Sequence, residues 1–335
     1  MNAPSTQMIA AAAERAAARI GGLVRETPLE YSPQFSAITG AKVWFKLENL
    51  QHTGSFKLRG AANRLMTLSP EQRKAGCVVA SSGNHGAAVA YAMRTLNIGG
   101  IIFVPEQTSP TKVEAIKSFG GEVRFFGNDG LDTERHAREY ALQNDMFYLS
   151  PYNDEEVIAG QGSCGVEIMA QLPNIDAAFI AIGGGGLVSG VGSVLKRHNR
   201  EIKIVGCQPA NSPVMTRSVE AGEIIEMPSE QTFSDGTAGG VEADAITFEL
   251  CRELVDDYLL VDETAIARGM CDFIDAQHQL IEGAAGVAIA GFQQQSAKFS
   301  DQNVVILICG ANISRTTLSR VFVEAENSAT DRAAQ

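Results

Sequence analysis

The chain has no C-x-x-C pair, no basic run and no apolar stretch of bilayer length, and each absence removes a class of protein. Its six cysteines, Cys77, Cys164, Cys207, Cys251, Cys271 and Cys309, are irregularly spaced along 335 residues. That is the pattern of reduced thiols in a cytoplasmic protein, not of a disulfide scaffold. Only five histidines occur, none beside a cysteine at ligand spacing, so no zinc site is expected. With 27 basic against 39 acidic residues the formal charge is −12. Nucleic acid and anionic membranes are thereby excluded as partners, because their phosphates demand a basic face. No apolar run is long enough to span a bilayer. The alanine-rich start, "MNAPSTQMIAAAAERAAARIGG", carries Glu14, Arg15 and Arg19 in the wrong order for a secretory signal, and reads as an amphipathic helix. No G-x-x-x-x-G-K-[ST] occurs, and no G-x-G-x-x-G can be laid over residues 183–192.

What the chain does have is alternation. The runs "KVWFKLE" (42–48), "CVVAS" (77–81), "GIIFVP" (100–105), "EVRFF" (122–126), "AAFIAI" (177–182), "IKIVGCQ" (202–208) and "NVVILIC" (303–309) predict strands. Helical patterns lie between them at 84–96, 109–119, 130–144, 154–171 and 186–198. Near-continuous apolar strands separated by helices predict an α/β protein with mostly parallel sheets, and the count suffices for two sheets in two lobes. Residues 226–244, "EMPSEQTFSDGTAGGVEAD", form a long polar segment of the kind that is either functional or disordered.

Ligands of α/β sheets collect beyond the carboxyl ends of the strands, and unusual residues cluster at those places here. In "HTGSFKLRGAANRL", Leu58, Ala62, Leu65 and Met66 mark one helical face and Lys57 falls in the first turn, where the macrodipole disfavours a cation. A solvated lysine is the ordinary explanation; a lysine bonded covalently to a cofactor escapes the objection. "SSGNHG", from Ser81 through Ser82, Asn84 and His85, is either a capped turn or a seat for a carboxylate at a helix start. Four glycines, Gly183, Gly184, Gly185 and Gly186, separate a strand from a helix, and favour a phosphate cup over a plain turn. Cys309 ends a buried strand, where its thiol either faces a bound ring or packs. Glu282 either caps the helix after it or lines the same cleft. One ligand satisfies all these features at once: pyridoxal 5′-phosphate.

At this point the chain is seen to resemble the fold-type II pyridoxal-phosphate enzymes, in particular the threonine/serine dehydratase and serine racemase group. The likeness runs from "TPLEYS" near residue 27 to "CGAN" at 309–312, through "KLENLQHTGSFKLRGA", "SSGNHG", "VIAGQG", "GGGGL" and "IEGAAGV" in the family's order. It implies a tryptophan synthase β-like fold of two α/β lobes with the cofactor between them. Residues 1–75 and 154–335 would form the large lobe, and 76–153 a small mobile one. By position, Lys57 would carry the cofactor, Phe56 would pack near its ring, and Asn84 would hydrogen-bond the ring oxygen. Gly183 to Gly186 and Leu187 would hold the phosphate, and Gly236 would face the cofactor. Ser81, Ser82, Asn84 and His85 would receive the substrate carboxylate. Arg135 falls near a position where some relatives bring a basic residue to the site.

The chain departs from the family at three places. Cys309 stands where a serine often faces the pyridine nitrogen, so a weaker electron sink is expected, which favours loss of a β-substituent. Gln208 and Val214 replace the two acidic ligands of the metal site in racemase-like members, so no metal is assigned. The chain ends soon after its last strand, so neither a regulatory domain nor feedback control by isoleucine is expected. The implied activity is β-elimination, by dehydration and deamination, on a 3-hydroxy amino acid such as L-threonine or L-serine, in a cytoplasmic homodimer. The alternatives are serine racemisation, with Ser82 as the second acid/base, 3-hydroxyaspartate dehydration, and a non-catalytic small-molecule-binding protein on a retained fold.

Overall fold

The computed structural model describes residues 4–333, with side chains through residue 327. Among the described residues ten strands form two sheets: β1 (Leu29–Tyr31), β2 (Lys42–Leu47), β3 (Cys77–Ala80), β4 (Gly100–Val104), β5 (Glu122–Phe125), β6 (Phe147–Tyr148), β7 (Ala177–Ala181), β8 (Lys203–Pro209), β9 (Asp257–Val261) and β10 (Asn303–Ile308). The larger sheet has the order β1-β2-β10-β7-β8-β9, and the smaller β5-β4-β3-β6. Only β1 runs antiparallel, pairing Glu30 with Phe45; the other pairs are parallel. The central strands carry the near-continuous apolar runs the parallel pattern requires: all five residues of β7 are buried, as are Val304 to Ile308 of β10. The seven predicted strands are all present, within a residue at either end. The three that the pattern missed are β1, β6 and β9, of which β6 has two residues and the other two are edge strands.

The helices explain where the open ends lie. Asp154 caps the helix Glu155–Gln171 by accepting the N–H groups of Glu156 and Val157, and Asp129 caps Gly130–Gln143. By contrast, the helices Lys57–Met66, Asn84–Leu96 and Gly186–His198 begin at Phe56, Gly83 and Gly185 with no side-chain cap. In the Lys57 helix the Arg59 N–H turns back to the Phe56 carbonyl at 3.0 Å and the Gly60 N–H donates to Gln161 Oε1 at 3.2 Å, while the starts at Asn84 and Gly186 leave partial positive charge to be satisfied from outside the helix. Among the described residues, no helix is long and apolar enough to cross a membrane.

"VIAGQG" acts as a packing device between these helices. A Cβ at Gly160 would lie 2.6 Å from the Gly60 Cα, and one at Gly162 would lie 2.6 Å from the Ala13 Cβ. The helix Glu155–Gln171 thus lies backbone-to-backbone against the helix that Lys57 begins. That helix is buried nearly all round, not on the single face of Leu58, Ala62, Leu65 and Met66: Arg59 and Asn63 are buried as well. Arg59 bonds both oxygens of Glu48 at 2.7 and 2.8 Å and both of Glu167 at 2.6 and 2.8 Å. Lys46, also buried, reaches Glu167 at 2.6 Å. Two cations face two carboxylates, so the buried charge is balanced.

Candidate active site

The end of β10 sets the position of Lys57. The Phe56 N–H donates to the Cys309 carbonyl at 3.0 Å, Ala311 N–H donates to the Gly54 carbonyl at 2.8 Å, and Ser55 bridges Gly310. Gly54 makes this turn at φ +71°, a left-handed conformation that favours glycine. The first residue of the helix is thereby fixed beside the carboxyl end of a central strand. The Lys57 amine donates to the Pro151 carbonyl at 3.0 Å, on the segment that leaves the smaller sheet, and lies 5.2 Å from the Phe56 ring centroid. Burial lowers its pKa to about 8, against the opposing pull of Cys309 and Glu282. Phe56 itself packs on the large core.

Ser81 and Ser82, after β3, are half-buried, and the Ser81 hydroxyl takes the Gly83 N–H at 3.2 Å. Glycine is required at 86, where a Cβ would lie 2.2 Å from the Ser81 carbonyl oxygen. The His85 ring is buried with Nε2 3.1 Å from the Leu149 carbonyl. Burial first and Lys57 second push its pKa down to about 3, so near neutrality the ring is uncharged. What residue 85 can offer an anion is its main chain.

Asn84 reaches across to the larger lobe. Its Nδ2 donates to the Glu282 oxygens at 2.9 and 3.0 Å, and its Oδ1 accepts from Asn312 Nδ2 at 2.7 Å. The Cys309 thiol lies 3.8 Å from Glu282 Oε1 and donates to it. Burial, with Glu282 added, holds that thiol well above its ordinary pKa, so it is protonated. Of the two sequence readings of Glu282, cap or cleft, the structure selects the cleft: its side chain makes no cap on the helix Gly283–Gln295.

The glycine turn follows β7. Gly185 adopts φ +83° and caps the helix Gly186–His198, while Gly183 and Gly184 remain half-buried. A side chain would clash at Gly184 and Gly185 and crowd its neighbours at Gly183 and Gly186. A Cβ would come within 2.4 Å of the Tyr152 ring at Gly184, 2.7 Å of the Cys251 sulfur at Gly185, 3.0 Å of Tyr152 at Gly186 and 3.1 Å of Thr237 at Gly183. Leu187 is buried. Gly236 lies in the polar loop, where a Cβ would sit 3.8 Å from Glu282 Oε1. The loop is ordered: Glu242 bonds Asn153 at 2.9 Å and Arg138 at 2.8 Å, and its N–H donates to the Tyr152 hydroxyl at 2.9 Å.

Other expected positions stand apart from this cluster. Arg135 is exposed and pairs with Asp132 at 3.8 Å; it is Arg138, one turn on, that meets the polar loop. Gln208 turns its Oε1 to the N–H and hydroxyl of Thr216, both at 2.7 Å, and Val214 is buried. Sequence reasoning passed over Tyr152, Asn312 and Glu242. Asn312 stood in the quoted "CGAN", and that was its only signal.

Two mostly parallel sheets meeting around a half-buried lysine, with helix starts that lack side-chain caps, define an architecture suited to holding an anionic cofactor between lobes. A family model described as pyridoxal-phosphate dependent enzyme matches residues 20–310, and the chain belongs to that family. The catabolic L-threonine dehydratase of Staphylococcus aureus is 36% identical over 313 residues, covering 92% of this chain and 90% of that one. The processed form of threonine deaminase isoform 2 from Solanum lycopersicum superposes with a TM-score of 0.92 at 33% identity, covering 97% of this chain and 96% of that one. Maize serine racemase gives a TM-score of 0.87 at 32% identity, covering 96% and 98%. The fold is therefore fold-type II, and the family's cofactor is pyridoxal phosphate. The residues present fit that group: the glycine cradle is closed to a Cβ at Gly184 and Gly185, and Ser55 Oγ and His85 Nδ1, next to Lys57 and Asn84 in the chain, are among the buried polar atoms without a hydrogen-bond partner.

Proposed function

We propose that this protein is an ammonia-lyase that dehydrates and deaminates a 3-hydroxy amino acid, such as L-threonine or L-serine, to a 2-oxo acid and ammonia. The observation that carries this reading is the Lys57 amine, its pKa lowered to about 8, held on the Pro151 carbonyl beside Cys309 and Glu282. Such an amine is partly neutral near pH 7, so it can attach a carbonyl cofactor covalently and later take the substrate's Cα proton. When bound, pyridoxal phosphate supplies storage for the electrons released at Cα. Gly183 to Gly186 and Leu187 would receive its phosphate on main-chain amides, Phe56 would pack near it, and Gly236 would face it. Asn84 and Cys309 would address its polar edge. Ser81, Ser82, Asn84 and the main chain at His85 hold the substrate carboxylate. A protonated Cys309 offers no anion to a ring nitrogen, so loss of the β-hydroxyl is favoured over a long-lived carbanion.

The likeness to maize serine racemase supports a second, minor activity. The half-buried Ser82 hydroxyl would return a proton to the face opposite Lys57. Assaying 3-hydroxy amino acids for ammonia release tests the main reading. Ammonia without matching 2-oxo acid, or D-serine formed faster than pyruvate, contradicts it. Ser82→Ala should lose D-serine formation and keep measurable ammonia release. We further propose that residues 76–153 form a mobile lobe against 1–75 and 154–335, in a cytoplasmic homodimer. The smaller sheet lies wholly inside 76–153, and all six cysteines are free.

A further inference from the structure

The roles just proposed leave one buried acid in the site without a task. Glu282 is 5% exposed, and its carboxyl lies between the two side chains assigned to the cofactor's polar edge. Both oxygens face Asn84 Nδ2, at 2.9 and 3.0 Å; Oε2 takes the Asn312 N–H at 3.2 Å; Oε1 lies 3.8 Å from the Cys309 sulfur. Asn312 closes the ring of contacts, donating to Asn84 Oδ1 at 2.7 Å and to the Thr53 carbonyl at 2.9 Å. The Asn84 amide can therefore point only one way, nitrogen to Glu282 and oxygen to Asn312.

Two features argue against a purely structural carboxyl. Glu282 is the N-cap residue of Gly283–Gln295, yet its side chain bonds none of that helix's free amides, its ordinary partners. The fold also reserves space for it: a Cβ at Gly310 would lie 2.5 Å from Oε1. A carboxyl turned from its cap into a buried cleft pays desolvation for its place.

We propose that Glu282 is a positioning residue that sets the charge state of the cofactor ring's polar edge, acting through Asn84 and Cys309. This rests on the reading that Lys57 and Asn84 hold pyridoxal phosphate. An ionised Glu282 favours positive charge at that edge and opposes a negative ring oxygen; a protonated one does neither. The titratable groups facing it are Lys57, Cys309 and Asp235. Cys309 remains a thiol, and the Lys57 amine is engaged when the cofactor is attached. Burial, with Asp235 adding to it, places the Glu282 carboxyl at about 7, so the switch falls near neutrality.

The test is a pH titration of the visible absorbance of the reconstituted holoenzyme, with thermal melts verifying the fold. The wild type should show a transition with a midpoint near neutrality, Glu282→Gln should lose it, and Glu282→Asp should retain one. An unchanged midpoint in Glu282→Gln, or no transition in Glu282→Asp, overturns the inference. If Glu282→Gln does not fold, Gly310→Ala, which displaces Oε1, should move the midpoint by about one pH unit; an unmoved midpoint overturns the inference. A wild type with no borohydride-sensitive visible band removes the cofactor reading and the inference with it. A band whose pH profile ignores Glu282 removes only the inference.

Discussion

A lysine in the first turn of a helix is badly placed as a cation and well placed as an amine. Lys57 meets the helix dipole and loses water to burial, and the Pro151 carbonyl is its hydrogen-bond acceptor. The sign of its effect on stability follows. With a folded pKa of about 8 against an ordinary 10.5, the unfolded chain holds the extra proton between those values. Burying the charged form costs stability below about 8, and the cost is relieved as pH rises toward 10.5. In the cofactor-free protein, urea midpoints should show Lys57→Met more stable than wild type at neutral pH, with the advantage narrowing through that window. A constant difference would mean that Lys57 keeps an ordinary pKa. Lys57 and the glycines drew notice in the sequence because each breaks a local rule, a cation at a helix start and a costly glycine run, whereas the Asn84 loop read equally well as a capped turn. Arg59 and Lys46 broke none. Their partner Glu167 lies more than a hundred residues away, and no local pattern announces such a cluster.

At the scale of elements, the site depends on how closely helices can approach. The helix Glu155–Gln171 lies against Lys57–Met66 with Gly160 over Gly60. Backbone atoms, not flexible side chains, would meet a new methyl there. Gly160→Ala should therefore destabilise the protein by about 1–3 kcal/mol by chemical denaturation. It should also lower cofactor affinity, since the Lys57 helix must shift; unchanged values would show that the packing is looser than described. Strands of the central sheet were legible because burial on both faces makes continuous apolar runs. The strands β1, β6 and β9 were not. β1 and β9 lie at the edges of the larger sheet, β6 is two residues long, and all their residues but Val261 are half-buried or exposed.

For the whole molecule, an apolar contact joins Leu58, Ala62 and Leu65 to Ala88, Val89 and Ala92, and charged pairs fasten the polar loop to the helices of the smaller sheet. Arg138 lies over the Tyr148 ring at 4.3 Å and pairs with Glu242 of the polar loop at 2.8 Å, while Lys112 pairs with Asp235 at 3.3 Å. The loop that the sequence marked only as functional or disordered is thus tied through Glu242 and Asp235 to Arg138, Asn153 and Lys112. Its composition showed length and polarity, while its order comes from partners on distant segments. Arg138→Gln should accelerate hydrogen exchange in residues 235–246 and raise KM a few-fold, about 1 kcal/mol or less for a half-exposed pair. No change in exchange would show that the loop is held from its own lobe. The account as a whole stands on Lys57 carrying the cofactor between two lobes. Borohydride reduction of the holoenzyme, followed by digestion and mass spectrometry, tests this most directly. The account predicts one pyridoxyl-labelled peptide, containing "TGSFK" and modified at Lys57; a label on Lys46 or Lys112 would contradict it.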